Sequence, residues 1–414
     1  MRTTMRAVLC ALAGTAALLL APWADGAGPN DTCLACHGDA SAKAASGKSV
    51  AVDPAVFSGS VHGSLNLPCT GCHTDVSADK IPHGPQKPVE CATCHDKAAQ
   101  QYKSTIHGLA RAQGNAVAAT CANCHGTHDI KRVADAGSKV SRANLEATCG
   151  ACHGNTDVIR RANLPGGNVV AMYHDSIHGR ALNQKTSAKD AVPVCTTCHG
   201  AHDMRPRADP QSRVARANIP DTCGGCHMNV KARWEQSQHG KLRQAHVMQA
   251  PGCTDCHSAH SIQRHDLDQW KLAAITACGT CHADRLDTYR DTFHGQVTRL
   301  GDARVATCDS CHGAHEVLPE SDPMSRVSAQ NRLATCQGCH PKANANFVQY
   351  DPHPNRHVRE AGMLLFYTGK FMDLLLLGVF AFFGLHTVLW FYRSLKVVRE
   401  QRAKARAVPP SENS

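Results

Sequence analysis

The stretch CGTCHADRLDTYRDTFHGQVTRLGDARVATCDSCHGAH, residues 278–315, decides how the rest of the chain is read. It opens on Cys278-x-x-Cys281-His282 and closes on Cys308-x-x-Cys311-His312-Gly-x-His315, with His294 between them in Thr-Phe-His-Gly. On a helical turn the first Cys, the second Cys at i+3 and the His at i+4 fall on one face. Cys-x-x-Cys-His is the attachment pattern of a c-type haem, in which two thiols add across the vinyl groups and the adjoining His is offered to the iron.

The pattern spreads outward to eleven copies. The other nine are Cys33-x-x-Cys36-His37, Cys69-x-x-Cys72-His73, Cys91-x-x-Cys94-His95, Cys121-x-x-Cys124-His125, Cys149-x-x-Cys152-His153, Cys195-x-x-Cys198-His199, Cys223-x-x-Cys226-His227, Cys253-x-x-Cys256-His257 and Cys336-x-x-Cys339-His340. They use 22 of the 23 cysteines. Structural zinc also uses paired CxxC units, but nothing in zinc chemistry requires a His directly after each second Cys. A disulfide scaffold leaves those histidines equally unexplained. Eleven covalent haems c are therefore expected. The odd cysteine, Cys10, lies in an apolar N-terminal segment and should leave with it.

Every second motif begins at Cys33, Cys91, Cys149, Cys223, Cys278 and Cys336, at intervals of 58, 58, 74, 55 and 58 residues. The chain is thus read as five dihaem repeats of about 58 residues and one terminal motif. The long interval carries an extra loop, seen at Leu164 to Gly167 and again at Thr186 to Ala191. Further histidines keep the same period. His62, His107, His178, His239 and His294 each precede a Gly before a second motif, while His128, His202, His260 and His315 each follow a second motif by three residues. His83 serves the first repeat, and His353 or His357 follows the last motif. Bis-histidine ligation throughout is expected. Methionine ligation would need a periodic Met set, and the nine Met residues show none. His174, His246 and His265 are left without a role.

Ordinary core material is scarce. Of 19 aromatic residues, nine lie between Phe366 and Tyr392, which leaves nine for residues 28–350. Such a chain buries little apolar area by itself, so the porphyrins are expected to be the core. The expected fold class is mainly α with low regular secondary structure. Short helices are expected at Asp96 to Ile106, Val230 to His239 and Asp284 to Phe293, each aiming a distal His. The formal charge of +10 suggests an anionic partner. Twenty-two propionates on eleven haems would turn +10 into about −12, or about −1 with ferric centres, so a nucleic-acid reading is rejected.

The two ends read as targeting and anchoring. Residues 1–27 have Arg2 and Arg6, an apolar run and small residues before Ala27, the pattern of a secretory signal peptide. Residues 28–360 would form the haem domain on the periplasmic side. Leu374 to Tyr392 is uncharged, and at 1.5 Å per residue it spans ~28 Å, one hydrocarbon core. Residues 361–393 would be a transmembrane helix with its outer flank. The basic residues Arg393, Lys396, Arg399, Arg402, Lys404 and Arg406 in the tail, 394–414, predict a cytoplasmic C-terminus and a single-pass inner-membrane protein. His386 is a polar ring inside that run. It could ligate a haem b shared with another subunit, border a quinone site, or bond a neighbouring helix.

The CxxCH…S-x-H-G…CxxCH-G-x-H order of residues 33–340 resembles multihaem c-type cytochromes with doubled motifs, among them the periplasmic penta- and decahaem shuttles of anaerobic respiration and metal reduction. The resemblance implies that the repeat-phased histidines are distal iron ligands and that the haems stack into a chain. The tail resembles membrane-tethered cytochrome subunits that work beside a cytochrome b quinol oxidase. This implies a quinol-oxidising or cytochrome b membrane partner, a periplasmic redox partner and a non-catalytic electron-transfer role. The alternative is a terminal reductase of a nitrogen or sulfur oxyanion with one open haem. No CxxCK motif supports that alternative.

Overall fold

Helix-compatible runs here are short because glycine, proline and the motifs interrupt them, and the structure follows that punctuation. The computed structural model describes residues 28–80, 82–184 and 191–406. The expected signal segment, most of Thr186 to Ala191 and the last eight residues lie outside the described residues. Among those described, regular structure is helical, with one isolated bridge between Lys43 and Ser49 and no strand. The chain divides into two compact units, Met1–Met228 with Gly252–Ile262, and Asn229–Pro251 with Gln263–Ser414.

Within each unit the recurring element is a pair of short helices broken by a hydroxyl residue. The first unit holds Asp96–Lys103 with Ile106–Ala112, and Val169–Asp175 with Ile177–Asn183. The second holds Ala283–Arg290 with Phe293–Arg299, and Gln238–Gln244 preceded by Met228–Gln236. The three helices expected from the sequence therefore end early, at Lys103, Gln236 and Arg290. The reason is local. Thr105, Ser237 and Thr292 take extended backbone angles and accept a hydrogen bond from the amide of the Gly three residues on, which starts a second helix. The His of each His-Gly rides that second helix.

The long third interval is also richer than a loop. It contains a helix, Thr156–Arg161, followed by a turn in which Asn163, Gly166 and Gly167 have φ of 47°, 85° and 70°. Three irregular stretches leading into Cys149, Cys223 and Cys336 are built alike. In each, one Asn amide (Asn144, Asn218, Asn331) donates to two backbone carbonyls, and a Thr (Thr148, Thr222, Thr335) donates to a third. Side chains thus replace the missing secondary-structure ladder. Before Cys278 the device is absent, and the helix Asp268–Gly279 delivers the motif instead.

Few apolar side chains are buried. In the first unit they are Leu145, Val194 and Ala215, and in the second Ala250, Ile275, Tyr289, Ala303 and Ala343. The most deeply buried side chains are Thr105, Ser138, Ser176, Ser212, Ser237 and Ser328, all hydroxyls rather than hydrocarbons. A polypeptide of this kind has too little buried hydrocarbon to offset chain entropy.

The last helix, Met363–Arg406, has 44 residues, and it is long and apolar enough to cross a membrane. It does not break at Arg393, where the sequence suggested a separate tail; Lys, Arg and Val are adequate helix residues and continue it. The turns at its Met363 end carry a strap. Arg356 lies 3.6 Å from Asp291 and 4.0 Å from Asp373, and the Arg359 guanidinium stands 5.7 Å from the centre of the Tyr367 ring.

Candidate functional site

The motif turns come in two forms. In Cys121–His125, Cys195–His199, Cys253–His257 and Cys308–His312 the helix runs through the His, as it does at His37 and His153. At His73, His95, His227, His282 and His340 the His leaves the helix, yet its amide still donates to the carbonyl of the first Cys at 2.8–3.0 Å. Both forms close one turn, so both keep the two thiols and the imidazole on one side.

The second motifs need a further turn to present the His three residues later. Gly126, Gly200 and Gly313 supply it with φ of 92°, 81° and 79°. Ser258 takes the same conformation, φ 62° and ψ −179°, with a side chain attached. That region of backbone space is almost confined to glycine.

The histidines then meet in twos. In the first unit His37 faces His83, His62 faces His95, His73 faces His128, His107 faces His153, His125 faces His202, His178 faces His227 and His199 faces His260. In the second unit His239 faces His282, His294 faces His340 and His312 faces His353. Ring centres are separated by 5.8 to 6.3 Å throughout. Two imidazoles on opposite sides of one metal, at nitrogen–metal distances near 2.0–2.1 Å, have ring centres about 6.3 Å apart. The gaps therefore fit a shared six-coordinate iron. Among the described residues, no group of three or more His, Cys, Asp or Glu side chains converges as a metal cage. His257 lies in the first unit and His315 in the second, and each is described within its own unit. His315 is half-buried, and burial pushes its imidazole below the ordinary value.

Partners follow one rule. Each His-Gly imidazole faces the first-motif His of the next repeat, and His73, His125 and His199 each face the His three residues past the next repeat's second motif. The irregular histidines complete two further pairs: His83 faces His37 within the first repeat, and His353 faces His312. Of the two candidates near the end, His353 is the one paired; its Nδ1 lies 3.2 Å from Thr288 Oγ1.

Backbone bonds tie repeats in the same register. Val61 donates to the Ile130 carbonyl, Ile106 to Met204, Ile177 to Ile262 and Gln238 to Val317, each at 2.8 Å. Each donor immediately precedes a His-Gly, and each acceptor lies two residues past an H-x-x-H histidine. Burial pushes the imidazoles of His107, His153, His199 and His239 below the ordinary histidine value. Neutral imidazole is the form that binds metal.

The cysteines order the sites. In each repeat the first thiols of the two motifs lie in hydrogen-bonding contact: Cys33 with Cys69, Cys91 with Cys121, Cys149 with Cys195, Cys223 with Cys253 and Cys278 with Cys308. Between repeats, Cys72 neighbours Cys91, Cys124 neighbours Cys152, Cys198 neighbours Cys226 and Cys311 neighbours Cys336. Sites one to eight in the first unit, and nine to eleven in the second, each run in chain order. His174, given no role by its position in the repeat, bonds Glu146 at 2.8 Å.

Sequence reasoning missed the residues that fix the helix turns carrying the His-Gly histidines. Ser60, Thr105, Ser176, Ser237 and Thr292 are nearly wholly buried, and each accepts from the Gly of its own His-Gly at 3.0–3.1 Å. The signal was present, since a Ser or Thr stands two residues before every one of those histidines.

No family model matches the chain, and no solved structure matches it. Two curated proteins are similar. The high-molecular-weight cytochrome c of Nitratidesulfovibrio vulgaris is 26% identical over 260 residues, 62% of this chain and 34% of the relative. The cytochrome c-type protein NrfB of Escherichia coli is 24% identical over 151 residues, 34% of this chain and 75% of the relative. The alignment thus spans about one third of the first relative's length. Both relatives are c-type cytochromes, and with the haem-attachment motifs they support reading this chain as a multihaem c-type cytochrome, an electron-transport protein.

Proposed function

We propose that this chain holds eleven bis-histidine haems c and carries electrons between a quinol-oxidising or cytochrome b partner in the inner membrane and a periplasmic acceptor. The observation that carries the reading is the pairing of ten motif histidines with a second imidazole at 5.8–6.3 Å. At each site the two thiols and two imidazoles would hold one haem, which would supply one-electron chemistry. The chain's part is to hold the sites in sequence order, supply neutral imidazoles, and replace the missing hydrocarbon core with porphyrin. The domain plan follows from the same reading: a cleaved leader over 1–27, a periplasmic haem domain to about residue 360, a helix that crosses the membrane, and a cytoplasmic basic end.

The mass of the mature holoprotein, with low-temperature electron paramagnetic resonance of the oxidised form, tests this. Eleven covalent haems, all low-spin, are expected. A high-spin ferric centre in the untreated protein would favour the reductase alternative. A lower haem count would remove the eleven-site reading.

A further inference from the structure

His83 is held differently from the other distal histidines. The five His-Gly rings ride helices whose first turn is fixed by a buried hydroxyl. His128, His202 and His260 lie in turns pinned by backbone bonds from the preceding repeat. His353 has Thr288 against its Nδ1 and the Asp351 carboxylate on its amide. His83 instead sits in residues 82–90, a stretch exposed throughout and without regular structure. Its Nδ1 reaches only its neighbour, the Gly84 carbonyl, at 3.1 Å. The tie that closes its loop is a bond from the Lys87 amide to Asp75, 2.7 Å and exposed. Across the gap, His37 is oriented by the Val50 carbonyl, 13 residues away, at 2.8 Å. One side of this site is therefore fixed and the other loosely tethered.

An exposed segment with few buried contacts opens at far lower cost than packed helices. A competing ligand binds the open form, so its apparent dissociation constant is the intrinsic one divided by the open fraction. Of the pairs described, the one built on His83 has the largest open fraction. Resting on the haem reading above, we infer that the first site, Cys33, Cys36, His37 and His83, exchanges its distal ligand: small ligands of haem iron, such as cyanide or nitric oxide, displace His83 there while the other sites stay closed.

Cyanide titration of the oxidised, detergent-solubilised full-length protein tests this, followed by the Soret band and electron paramagnetic resonance. One cyanide equivalent per chain is expected at concentrations that leave the remaining haems unchanged. His83→Ala should create one high-spin centre and still bind one equivalent, with at least tenfold higher affinity. Asp75→Ala frees the loop without touching the ligand, and should raise affinity several-fold at unchanged haem count. No cyanide uptake by the unaltered protein overturns the inference, as does uptake of two equivalents by His83→Ala, which would place the exchangeable haem elsewhere. Peptide mass of the Cys33–Cys36 segment separates these failures from an absent first haem, which would instead overturn the eleven-site reading.

Discussion

Gly179 lies directly against the carbonyl of Tyr173: a Cβ at Gly179 would stand 2.1 Å from Tyr173 O and 2.7 Å from His174 O. The same contact recurs at Gly108 with Tyr102 and at Gly295 with Tyr289, both at 2.0 Å. Helix end and helix start meet here with no room for a side chain, and the hydroxyl of Ser176 bonds both sides of the junction. The adjoining His178 is thereby aimed at His227. Gly179→Ala must push two backbones apart, at a cost of about 2–3 kcal/mol or more. Thermal unfolding should fall, and one low-spin haem should become high-spin. A variant with both properties unchanged would show that the junction does not position the ligand.

Ser258 makes the opposite prediction. It holds a conformation that its three counterparts leave to glycine. Strain of this kind costs about 1–3 kcal/mol, partly offset by the greater freedom of glycine in the unfolded chain. Ser258→Gly should stabilise the holoprotein by about 1 kcal/mol with its haem spectrum unaltered. A lower denaturant midpoint would mean that the Ser258 hydroxyl, 3.2 Å from Ser261, is worth more than the strain.

How far the sequence carries can be judged at particular residues. The motifs and the period were legible because thioether attachment demands fixed spacing. Which His faces which was not, because pairing crosses repeats and a linear pattern has no third dimension. His107 and His153 are 46 positions apart yet face each other, while His107 and His125, in the same repeat, are each paired elsewhere. Helix ends were misplaced where Thr105, Ser237 and Thr292 cut a continuous helical pattern, since hydroxyl capping outweighs modest propensity. The apolar part of the last helix was legible, because length and lack of charge suffice there; its continuation past Arg393 to Arg406 was not, because a basic run reads as a tail.

His353 and His357 lie four residues apart, and only position against His312 tells them apart. His353→Ala should leave all thioether bonds intact and convert one haem to high-spin. His357→Ala should leave the spectrum unchanged. The reverse result would reassign the tenth site.

Among the described residues no hydrogen-bonding partner meets His386 on the apolar helix, and its ring is exposed there. A polar ring in that position is costly in lipid unless a partner or cavity receives it. His386→Leu should keep every covalent haem and every low-spin signal but slow quinol-driven reduction in membranes. Equal rates in both would leave the ring no part in electron entry.

The strap fixes where the anchor can be removed. A cut near Pro352 looks safe from sequence, since all eleven motifs lie before it. The structure moves that point, because His353 completes the pair with His312 and lies ten residues before the helix begins at Met363. A chain ending at Asp351 should carry its full thioether complement with one haem high-spin. A chain ending at Gly362 keeps His353, though it loses the contact of Arg356 with Asp373, an exposed pair at 4.0 Å and so worth at most about 1 kcal/mol. It should be water-soluble and wholly low-spin. If both truncations retain every low-spin signal, a residue before Asp351 closes the tenth site and the pairing with His353 falls.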